Sequence, residues 1–366
     1  MVTVSAMTIF PPVPTAPSPS GTPLAAVAPT APTAATASPT PNDIQRAGQL
    51  VRALRSRFAR NVIGQERLRE SLIATMIAGG HILIESVPGL AKTTAAQTLA
   101  NSVSGTFRRI QCTPDLMPSD LVGTQVFDFS TQRFSTQIGP IHANFVLLDE
   151  INRSSAKTQS AMLEAMAEGA TTIGGQRIAL PRPFMVIATQ NPIEEEGTYN
   201  LPEAQMDRFT MKTLMTYPSA DEEVGMLELL TKRGSDTPSG DDTVDQLAVT
   251  DVDFLRATAR RVHVSAPIMR YAVSLAETSR GSGPRPIQGL SRLVRLGASP
   301  RASIALVRIG QAQALMNGRD FVIPEDLRAF AHEVFRHRVL LTFEAMADGV
   351  TSDQVVDKMI EAVPVP

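Results

Sequence analysis

The first half of the chain alternates between short apolar runs and stretches with helical periodicity. Notable helical patterns cover residues 93–102 and 155–168. The apolar runs have the length of strands and lie at 81–85, 107–112, 144–149, 184–190 and 209–214. Strands that are apolar on both faces and separated by helices are typical of a mostly parallel sheet covered by helices. We therefore predict an α/β fold in which ligands bind beyond the carboxyl ends of the strands.

Two further segments have the pattern of a β-hairpin. Residues 125–129 and 133–136 alternate on either side of a polar turn. Gly174-Gly175 joins two short apolar runs, and both glycines tolerate the positive φ that a two-residue hairpin turn requires. Hairpins that project from a sheet are candidate contacts for a partner, but the same pattern also suits a hairpin that only decorates the fold. The sequence leaves both interpretations open.

Helical patterns dominate the second half of the chain. A helix at about 219–230 leads into a polar segment at about 231–245, which we interpret as a flexible linker. Ser299-Pro300 and Asn317-Gly318 bracket one helix clearly, because they supply an N-cap, a first-turn proline and a C-terminal stop. The further predicted helices cover 252–262, 267–279, 301–317 and 324–334.

The N-terminal segment differs from the rest in composition. Residues 1–42 carry no charged side chain and are rich in Pro, Ala, Thr and Ser, so we expect a disordered tail, either passive or a docking ligand for a partner. Order should begin at Asp43, as the cap of a helix that runs toward Phe58. The predicted organisation is a tail at 1–42, an α/β core at 43–216, a helical domain at 217–345 and a C-terminal segment at 346–366.

Composition narrows the class of protein. A chain of 366 residues that is 43% hydrophobic and 19% charged has room for two globular domains. Its net charge of −2 gives no general electrostatic case for binding nucleic acid or a membrane surface. The sequence has no apolar run long enough to cross a bilayer and no secretory signal. We therefore expect a cytoplasmic protein without membrane insertion.

The metal-binding and redox-active residue types give mainly negative expectations. Cys112 is the only cysteine, which excludes an internal disulfide and fits a reducing compartment. Its place in a strand pattern suits a buried packing role better than a reactive thiol. The five histidines have no spacing that would bring ligands together on one helix face, so we expect no structural zinc.

The segment from Ser86 to Thr94 is the first candidate for chemistry. It follows an apolar strand pattern and precedes a helix, as phosphate-binding loops do, with Lys92 able to reach phosphate oxygens and Thr93 able to bind Mg²⁺. The formal pattern G-x-x-x-x-G-K-[ST] is not met, because Ser86 and Ala91 stand where it has glycine. Taken alone, this stretch is equally compatible with an ordinary strand, turn and helix.

Polar residues at the ends of the later strand patterns are the second candidate. Asp149 and Glu150 end a buried strand, where they suit Mg²⁺ binding and water activation, although acids often end strands. Asn191 follows the next buried strand and suits the positioning of a water, but it is also ordinary turn chemistry before a proline. Arg208 precedes the last strand pattern, where a surface ion pair is the simpler interpretation.

These stretches, in this order, resemble the MoxR family of AAA+ ATPases over about residues 62–340. The resemblance implies an αβα ATPase core followed by a helical lid, with ATP bound at the subunit interfaces of a ring that is commonly a hexamer. It rests on GGHILIE (79–85), VPGLAKT (87–93), QCTPDLMPSD (111–120), LLDEINR (147–153), ATQNPIE (188–194), LPEAQMDRF (201–209) and GASPRAS (297–303).

The resemblance also implies roles for individual residues. Asp149 and Glu150 correspond to Walker B, with Thr93 and Asp149 as Mg²⁺ ligands. Asn191 corresponds to sensor 1, Arg208 to the arginine finger that reaches the neighbouring subunit, and Arg301 to the sensor 2 arginine. Residues 115–144 correspond to the helix-2 insert and the Gly174-Gly175 hairpin to the pre-sensor-1 hairpin. The Walker A loop comprises Ser86, Val87, Pro88, Gly89, Leu90, Ala91, Lys92, Thr93 and Thr94.

The family implies an Mg²⁺-dependent ATPase that remodels a protein client, often with a von Willebrand factor A domain partner. The residues agree with such roles: Arg301 in the first turn of a helix gains nothing from the helix dipole, so an anionic partner explains it better. Ser86 and Ala91 depart from the family loop and motivate an alternative, a nucleotide-binding scaffold with little hydrolysis. A chelatase motor subunit is a further alternative, while near-neutral charge disfavours a nucleic-acid motor.

Overall fold

The computed structural model describes most of the chain from residue 37 onward. The described residues are 37–87, 90, 92–192, 199, 201–233, 246–283 and 285–366. The predicted tail up to residue 36, three loop positions (Pro88, Gly89 and Ala91) and most of the predicted linker lie outside them. The domain boundaries given above stay predictions.

The strands lie close to the predicted apolar runs. The strands of the described residues are β1 (Ile82–Glu85), β2 (Phe107–Gln111), β3 (Gly123–Asp128), β4 (Arg133–Ile138), β5 (Phe145–Asp149), β6 (Ala170–Ile173), β7 (Gln176–Ala179), β8 (Met185–Gln190), β9 (Met211–Leu214), β10 (Val294–Leu296) and β11 (Leu340–Leu341). The five predicted strands of the core and the two predicted hairpins are thereby confirmed.

The main sheet is parallel throughout and has the strand order β2-β5-β8-β1-β9. The predicted α/β class is therefore confirmed. Gly174 and Gly175 have φ of 55° and 79°, as the two-residue turn between β6 and β7 requires. The antiparallel pair β3 and β4 forms the other core hairpin.

The helices fill the intervals between the strands and make up most of the second half. They are α1 (Pro41–Asn61), α2 (Glu66–Ala78), α3 (Lys92–Asn101), α4 (Pro118–Val122), α5 (Ala156–Glu168), α6 (Glu203–Met206), α7 (Ala220–Arg233), α8 (Val249–Arg261), α9 (Ala266–Ser279), α10 (Leu290–Leu293), α11 (Pro300–Met316), α12 (Pro324–Arg328), α13 (Ala331–Phe335), α14 (Phe343–Ala347) and α15 (Ser352–Ala362). None of the described helices is long and apolar enough to cross a membrane.

Two helix predictions need correction. The N-cap of α1 is Thr40 and not Asp43. Asp43 lies at the third helical position, where its carboxylate accepts a hydrogen bond from the Thr40 backbone nitrogen at 3.0 Å and completes a capping box. The helix predicted over 324–334 is divided into α12 and α13, because Phe330 leaves helical geometry with ψ of 19°. Ser299 does cap α11, with Pro300 in its first turn.

Alternating residues of the central strands divide the core into two layers. In β5, Phe145 and Leu147 belong to the apolar cluster that contains α1, α2 and α3. Val146 and Leu148 belong to the opposite cluster, which contains residues of α5 such as Met162. Side chains of a strand point alternately to its two faces, so the run of four apolar residues is the sequence of a sheet covered on both sides.

The helices α8 to α15, called the lid below, continue the first of these clusters. Helix α11 packs against α2 and α1, and α8 packs against α2. Ion pairs also join the first two helices to the lid: Arg67 pairs with Glu333 at 2.5 Å, and Arg261 pairs with Asp43 at 3.1 Å. The lid and the first two helices therefore share one apolar core.

Cys112 has the packing role that its sequence context favours. It is fully buried at the end of β2. Burial raises the pKa of the Cys112 thiol to about 12, and the nearby charges of Asp149 and Glu150 act in the same direction. A thiol held in its neutral form is a weak nucleophile.

His81 gives a prediction about stability at low pH. Its Nδ1 accepts a hydrogen bond from the Val186 backbone at 3.0 Å, its Nε2 lies 3.3 Å from the Met166 carbonyl oxygen, and burial lowers its pKa to about 4. The unfolded chain takes up this proton near pH 6.5. The contribution of neutral His81 to the free energy of unfolding is therefore complete above pH 6.5. It declines as the pH falls and is smaller by about 3 kcal/mol at pH 4.

The test is urea unfolding between pH 7 and pH 4.5. His81→Asn retains an acceptor for the Val186 amide but has no titrating ring, so its stability should fall less steeply with acid than that of the unmodified chain. The same replacement at the exposed His263 is the control. Equal slopes for His81→Asn and the unmodified chain would contradict the assignment.

Candidate functional site

The carboxyl ends of three neighbouring strands gather most of the predicted site residues. Ser86 follows β1, Asp149 is the last residue of β5, and Asn191 follows β8, which lies between the other two. Because the three strands are parallel, their ends meet at one edge of the sheet. We call this edge the carboxyl edge.

The described part of the candidate phosphate loop packs closely against this edge. The Ser86 backbone nitrogen donates to the Gln190 carbonyl at 3.3 Å, and Lys92, the first residue of α3, donates from Nζ to the Ser86 carbonyl at 3.4 Å. Leu90 is buried and Thr94 is exposed. Among the described residues, the non-glycine positions with positive φ are Gln132 and Glu150. Serine at position 86 therefore carries no left-handed strain.

Thr93 and Asp149 approach each other across the carboxyl edge. The Thr93 hydroxyl donates to Asp149 Oδ2 at 3.2 Å. Arg109, on the edge strand β2, donates to the same oxygen from Nη2 at 2.7 Å and pairs with it electrostatically. Burial alone would raise the pKa of Asp149, but hydrogen bonds from Thr189, Arg109 and Thr93 and the charge of Arg109 together lower it. Asp149 is therefore an ionised carboxylate at neutral pH.

The donor set fits a magnesium ion. Mg²⁺ prefers hard oxygen ligands and takes one or two from the protein, with phosphate and water completing its octahedron. Thr93 Oγ1 and the ionised Asp149 carboxylate are such oxygens and lie together at the mouth of the loop. Arg109 is half exposed and binds the same Oδ2 atom of the carboxylate as Thr93. The two residues named from the sequence as metal ligands are thus brought into contact.

Thr189 links the two acids, and sequence reasoning missed it. Its hydroxyl donates to Asp149 Oδ1 at 2.7 Å and accepts from the Glu150 backbone nitrogen at 2.9 Å. The side chain is completely buried in β8. The available signal was a threonine near the end of an otherwise apolar buried strand, where a hydroxyl needs a partner.

Glu150 has a backbone conformation that glycine adopts more readily. Its φ is 58° and its ψ is 55°, directly after β5 and before a short 3₁₀ turn, Ile151–Arg153. Gln111 donates to Glu150 Oε2 at 3.0 Å, and Arg153 pairs with the same oxygen at 3.3 Å. The left-handed conformation turns the side chain out of the strand direction at a cost of roughly 1–2 kcal/mol. Such strain is concentrated at functional sites.

Asn191 is buried at the same edge. Its backbone carbonyl accepts a hydrogen bond from the Asn152 side chain at 3.3 Å, and Asn152 itself follows β5. The described structure therefore ties the segment after β8 to the segment after β5. Lys92, Thr93, Asp149, Glu150 and Asn191 all belong to the carboxyl edge.

Arg208 and Arg301 lie elsewhere, together. Thr210 directly precedes β9, and its backbone nitrogen donates to the carbonyl of His81, which directly precedes β1. Because β1 and β9 are parallel, Arg208 lies before β9 at the amino edge of the sheet. The four residues of β9 span roughly 10 Å at about 3.3 Å per residue, and Arg208 lies beyond their amino end. Arg301 reaches the same place from the lid, 3.9 Å from Asp207.

A cavity of about 310 Å³ separates these arginines from the core helices. Among the described residues that line the cavity, one is acidic, Asp207, and four are arginines. The Nε atom of Arg208 is buried and has no hydrogen-bond partner within the described structure. The cationic residues of the cavity are Arg208, Arg301, Arg308 and Arg338.

Comparison with known proteins identifies the family. Residues 81–211 match the model of the ATPase family associated with various cellular activities, and residues 290–359 match the AAA lid domain. The chain is 41% identical over 307 residues to Chaperone MoxR1 of Mycobacterium tuberculosis, covering 84% of this chain and 80% of that protein. The chain belongs to the MoxR family of AAA+ ATPases.

Other MoxR relatives support the same assignment. YeaC of Bacillus subtilis is 42% identical over 84% of this chain and 92% of its own length, and MoxR of Methylorubrum extorquens is 31% identical over 84% and 93%. A crystal structure of a proposed ATPase from Cytophaga hutchinsonii superposes with a TM-score of 0.80 at 37% identity. It covers 89% of this chain and 97% of that one.

The strain at Glu150 yields a prediction for this member of the MoxR family. Glu150→Gly and Glu150→Ala both remove the carboxylate, but only alanine keeps a Cβ in the left-handed conformation. We expect the glycine variant to be more stable than the alanine variant by about 1 kcal/mol, the reverse of the order in a helix. Denaturant unfolding of the two variants measures the difference.

Gln132, in the β3–β4 turn with φ of 50°, supplies the matched control. Glycine and alanine at position 132 should differ in the same direction. An alanine variant at position 150 that is as stable as the glycine variant would show that Glu150 is not strained.

Proposed function

We propose that this member of the MoxR family is an Mg²⁺-dependent ATPase that acts as a ring and uses hydrolysis to remodel a protein client. The observation that carries the proposal is the connected set of Thr93, Asp149, Thr189 and Glu150 at the carboxyl edge. A hydroxyl, an ionised acid and a second acid held beside a phosphate loop are the groups that phosphoryl transfer to water requires.

Each residue at the carboxyl edge has a role in this proposal. Lys92 reaches the β- and γ-phosphate oxygens of ATP, and Thr93 with Asp149 holds Mg²⁺. Bound Mg²⁺ supplies positive charge that offsets the charge developing on the phosphates. Glu150 activates the attacking water by accepting its proton, and Asn191 orients that water.

The arginines support assembly as part of the mechanism. Arg208 and Arg301 lie at the amino edge of the sheet, whereas the phosphate loop of the same chain follows β1 at the carboxyl edge. Side chains at the opposite edge of the sheet are poorly placed to reach a nucleotide bound by their own loop. Both therefore act on ATP bound by a neighbouring subunit, and an isolated subunit has an incomplete site. A closed ring, hexameric as the family suggests, completes every site.

The cellular role follows the relatives. Chaperone MoxR1 is 41% identical to this chain, and client remodelling is proposed here by analogy with that name. A von Willebrand factor A domain protein is the proposed partner, and the cytoplasm is the proposed location. The exposed hairpin β3–β4, which carries Phe129 and Phe134 at its surface, is available for such protein contacts.

Turnover of purified protein tests the enzymatic part. Lys92→Ala should lose ATP binding, while Glu150→Gln should bind ATP but hydrolyse it at least ~100-fold more slowly. Arg208→Ala should also retain binding and lose ~10³-fold in turnover, as arginine fingers do. Arg270→Ala, an exposed arginine on α9, is the control. Turnover that survives all three changes would refute the ATPase, and tight binding without phosphate release would favour the nucleotide-binding scaffold.

The shared hydroxyl of Thr189 gives a second test. Thr189→Val keeps the shape but removes the hydrogen bond to Asp149 and leaves the Glu150 amide unpaired. The Mg²⁺ concentration for half-maximal turnover should rise ~10-fold or more, as for other residues that support metal ligands. Thr213→Val is the matched control, because Thr213 is equally buried in β9 and its hydroxyl has no partner in the described part of the chain. An unchanged Mg²⁺ requirement in Thr189→Val would contradict the assigned metal site.

A further inference from the structure

Asp207, the residue before Arg208, is the meeting point of the core and the lid. Its Oδ1 accepts from Arg338 Nε at 2.8 Å, and its Oδ2 accepts from the Ser299 hydroxyl at 2.8 Å. Arg301 Nη1 lies 3.9 Å from the same Oδ2. Three lid residues therefore converge on the carboxylate of Asp207, the residue that directly precedes Arg208 in the chain.

Arg338 also binds the backbone around Arg208. It donates from Nη2 to the carbonyl oxygens of Asp207 and Phe209, at 3.2 and 2.6 Å, and from Nη1 to that of Thr210 at 3.1 Å. A fourth carbonyl, that of Val334 in the lid, accepts from Nη1 at 2.5 Å. The side chain of Arg338 is 2% exposed. The guanidinium thus holds three of the four peptide carbonyls from residue 207 to 210.

Ser299 connects the second arginine to the same carboxylate. As the N-cap of α11, its hydroxyl accepts from the Arg301 backbone nitrogen at 3.1 Å while donating to Asp207. The residue before it, Ala298, is itself fixed, because its carbonyl accepts from Arg280 Nε at 2.7 Å and its nitrogen donates to Ser279 at 2.9 Å. The start of α11 is therefore held on both sides.

Stability alone does not explain a buried arginine of this kind. Desolvation of a guanidinium costs several kcal/mol, and apolar replacements of buried ion pairs are often neutral or stabilising. Arg338 donates most of its hydrogen bonds to the chain neighbours of Arg208, which are Asp207, Phe209 and Thr210. None of its described hydrogen bonds goes to the carboxyl edge. These hydrogen bonds fix the backbone conformation of residues 207–210, the segment that carries Arg208.

We propose that Asp207 and Arg338 are positioning residues that lock Arg208 and Arg301 into one unit, so that the lid sets the geometry of the arginines presented to the neighbouring subunit. The proposal rests on the proposed function, since it assumes that these arginines act on a neighbour's ATP. Neither Asp207 nor Arg338 needs to touch the nucleotide.

Kinetics of two conservative variants provide the first test. Arg338→Lys keeps the charge but not the forked donors, and Asp207→Asn keeps the shape but not the charge. Both should bind ATP with unchanged affinity and lose ~10- to 100-fold in turnover, because a displacement of about 1 Å in a catalytic group has effects of this size. Arg319→Lys is the matched control, since Arg319 forms a comparable forked pair with the buried Asp326 inside the lid. Turnover in Arg338→Lys equal to that of Arg319→Lys would overturn the proposal.

Mixed assemblies provide the second test and separate positioning from a folding defect. Lys92→Ala subunits have a dead nucleotide site but intact arginines, whereas Arg338→Lys subunits have an intact nucleotide site but misplaced arginines. Mixing the two impaired preparations should raise turnover above that of either one alone, as should mixing Lys92→Ala with Arg208→Ala. A subunit damaged as a whole would not be rescued.

The pattern of rescue also separates this inference from the proposed function. If Arg208→Ala is rescued by Lys92→Ala subunits and Arg338→Lys is not, the positioning role is wrong and the shared site between subunits stands. If Arg208→Ala is not rescued, the shared site itself is wrong, and the positioning proposal falls with it.

Discussion

Parallel pairing of β5, β8 and β1 is the constraint on which the rest of the molecule depends. It brings the residues that follow three strands to one edge, where Thr93, Asp149 and Thr189 form a continuous set of hydrogen bonds. Because β9 also pairs in parallel with β1, the residues that precede β9 lie at the opposite edge. The four-residue strand β9 thus separates Arg208 from the edge that carries Thr93 and Asp149.

Much of this arrangement was predictable from the sequence because it depends on local patterns. Four apolar residues before Asp149 indicate a strand covered on both faces, and a glycine pair indicates a tight hairpin. The cap of α1 was misplaced by three residues because Thr40 and Asp43 exchange reciprocal hydrogen bonds and either could start the helix. The break at Phe330 follows from lid packing, which a local pattern does not contain.

The missed site residues have a common physical cause. Arg109, Thr189 and Arg338 act through partners 40, 40 and 131 positions away in the chain. No periodicity or motif records such contacts, because they exist only when the sheet and the lid are assembled. The sequence identified the groups proposed for the chemistry, whereas the groups that contact them could be found only in the structure.

The hydroxyl of Thr189 has a consequence for the two acids. A hydroxyl carries a single proton, and here that proton points to Asp149 while the oxygen accepts from the Glu150 amide. The three groups form a hydrogen-bond chain with one direction, from the Glu150 amide through the hydroxyl to the ionised carboxylate, and each bond polarises the next. Glu150 and Asp149 are therefore electronically connected through the backbone of one and the side chain of the other.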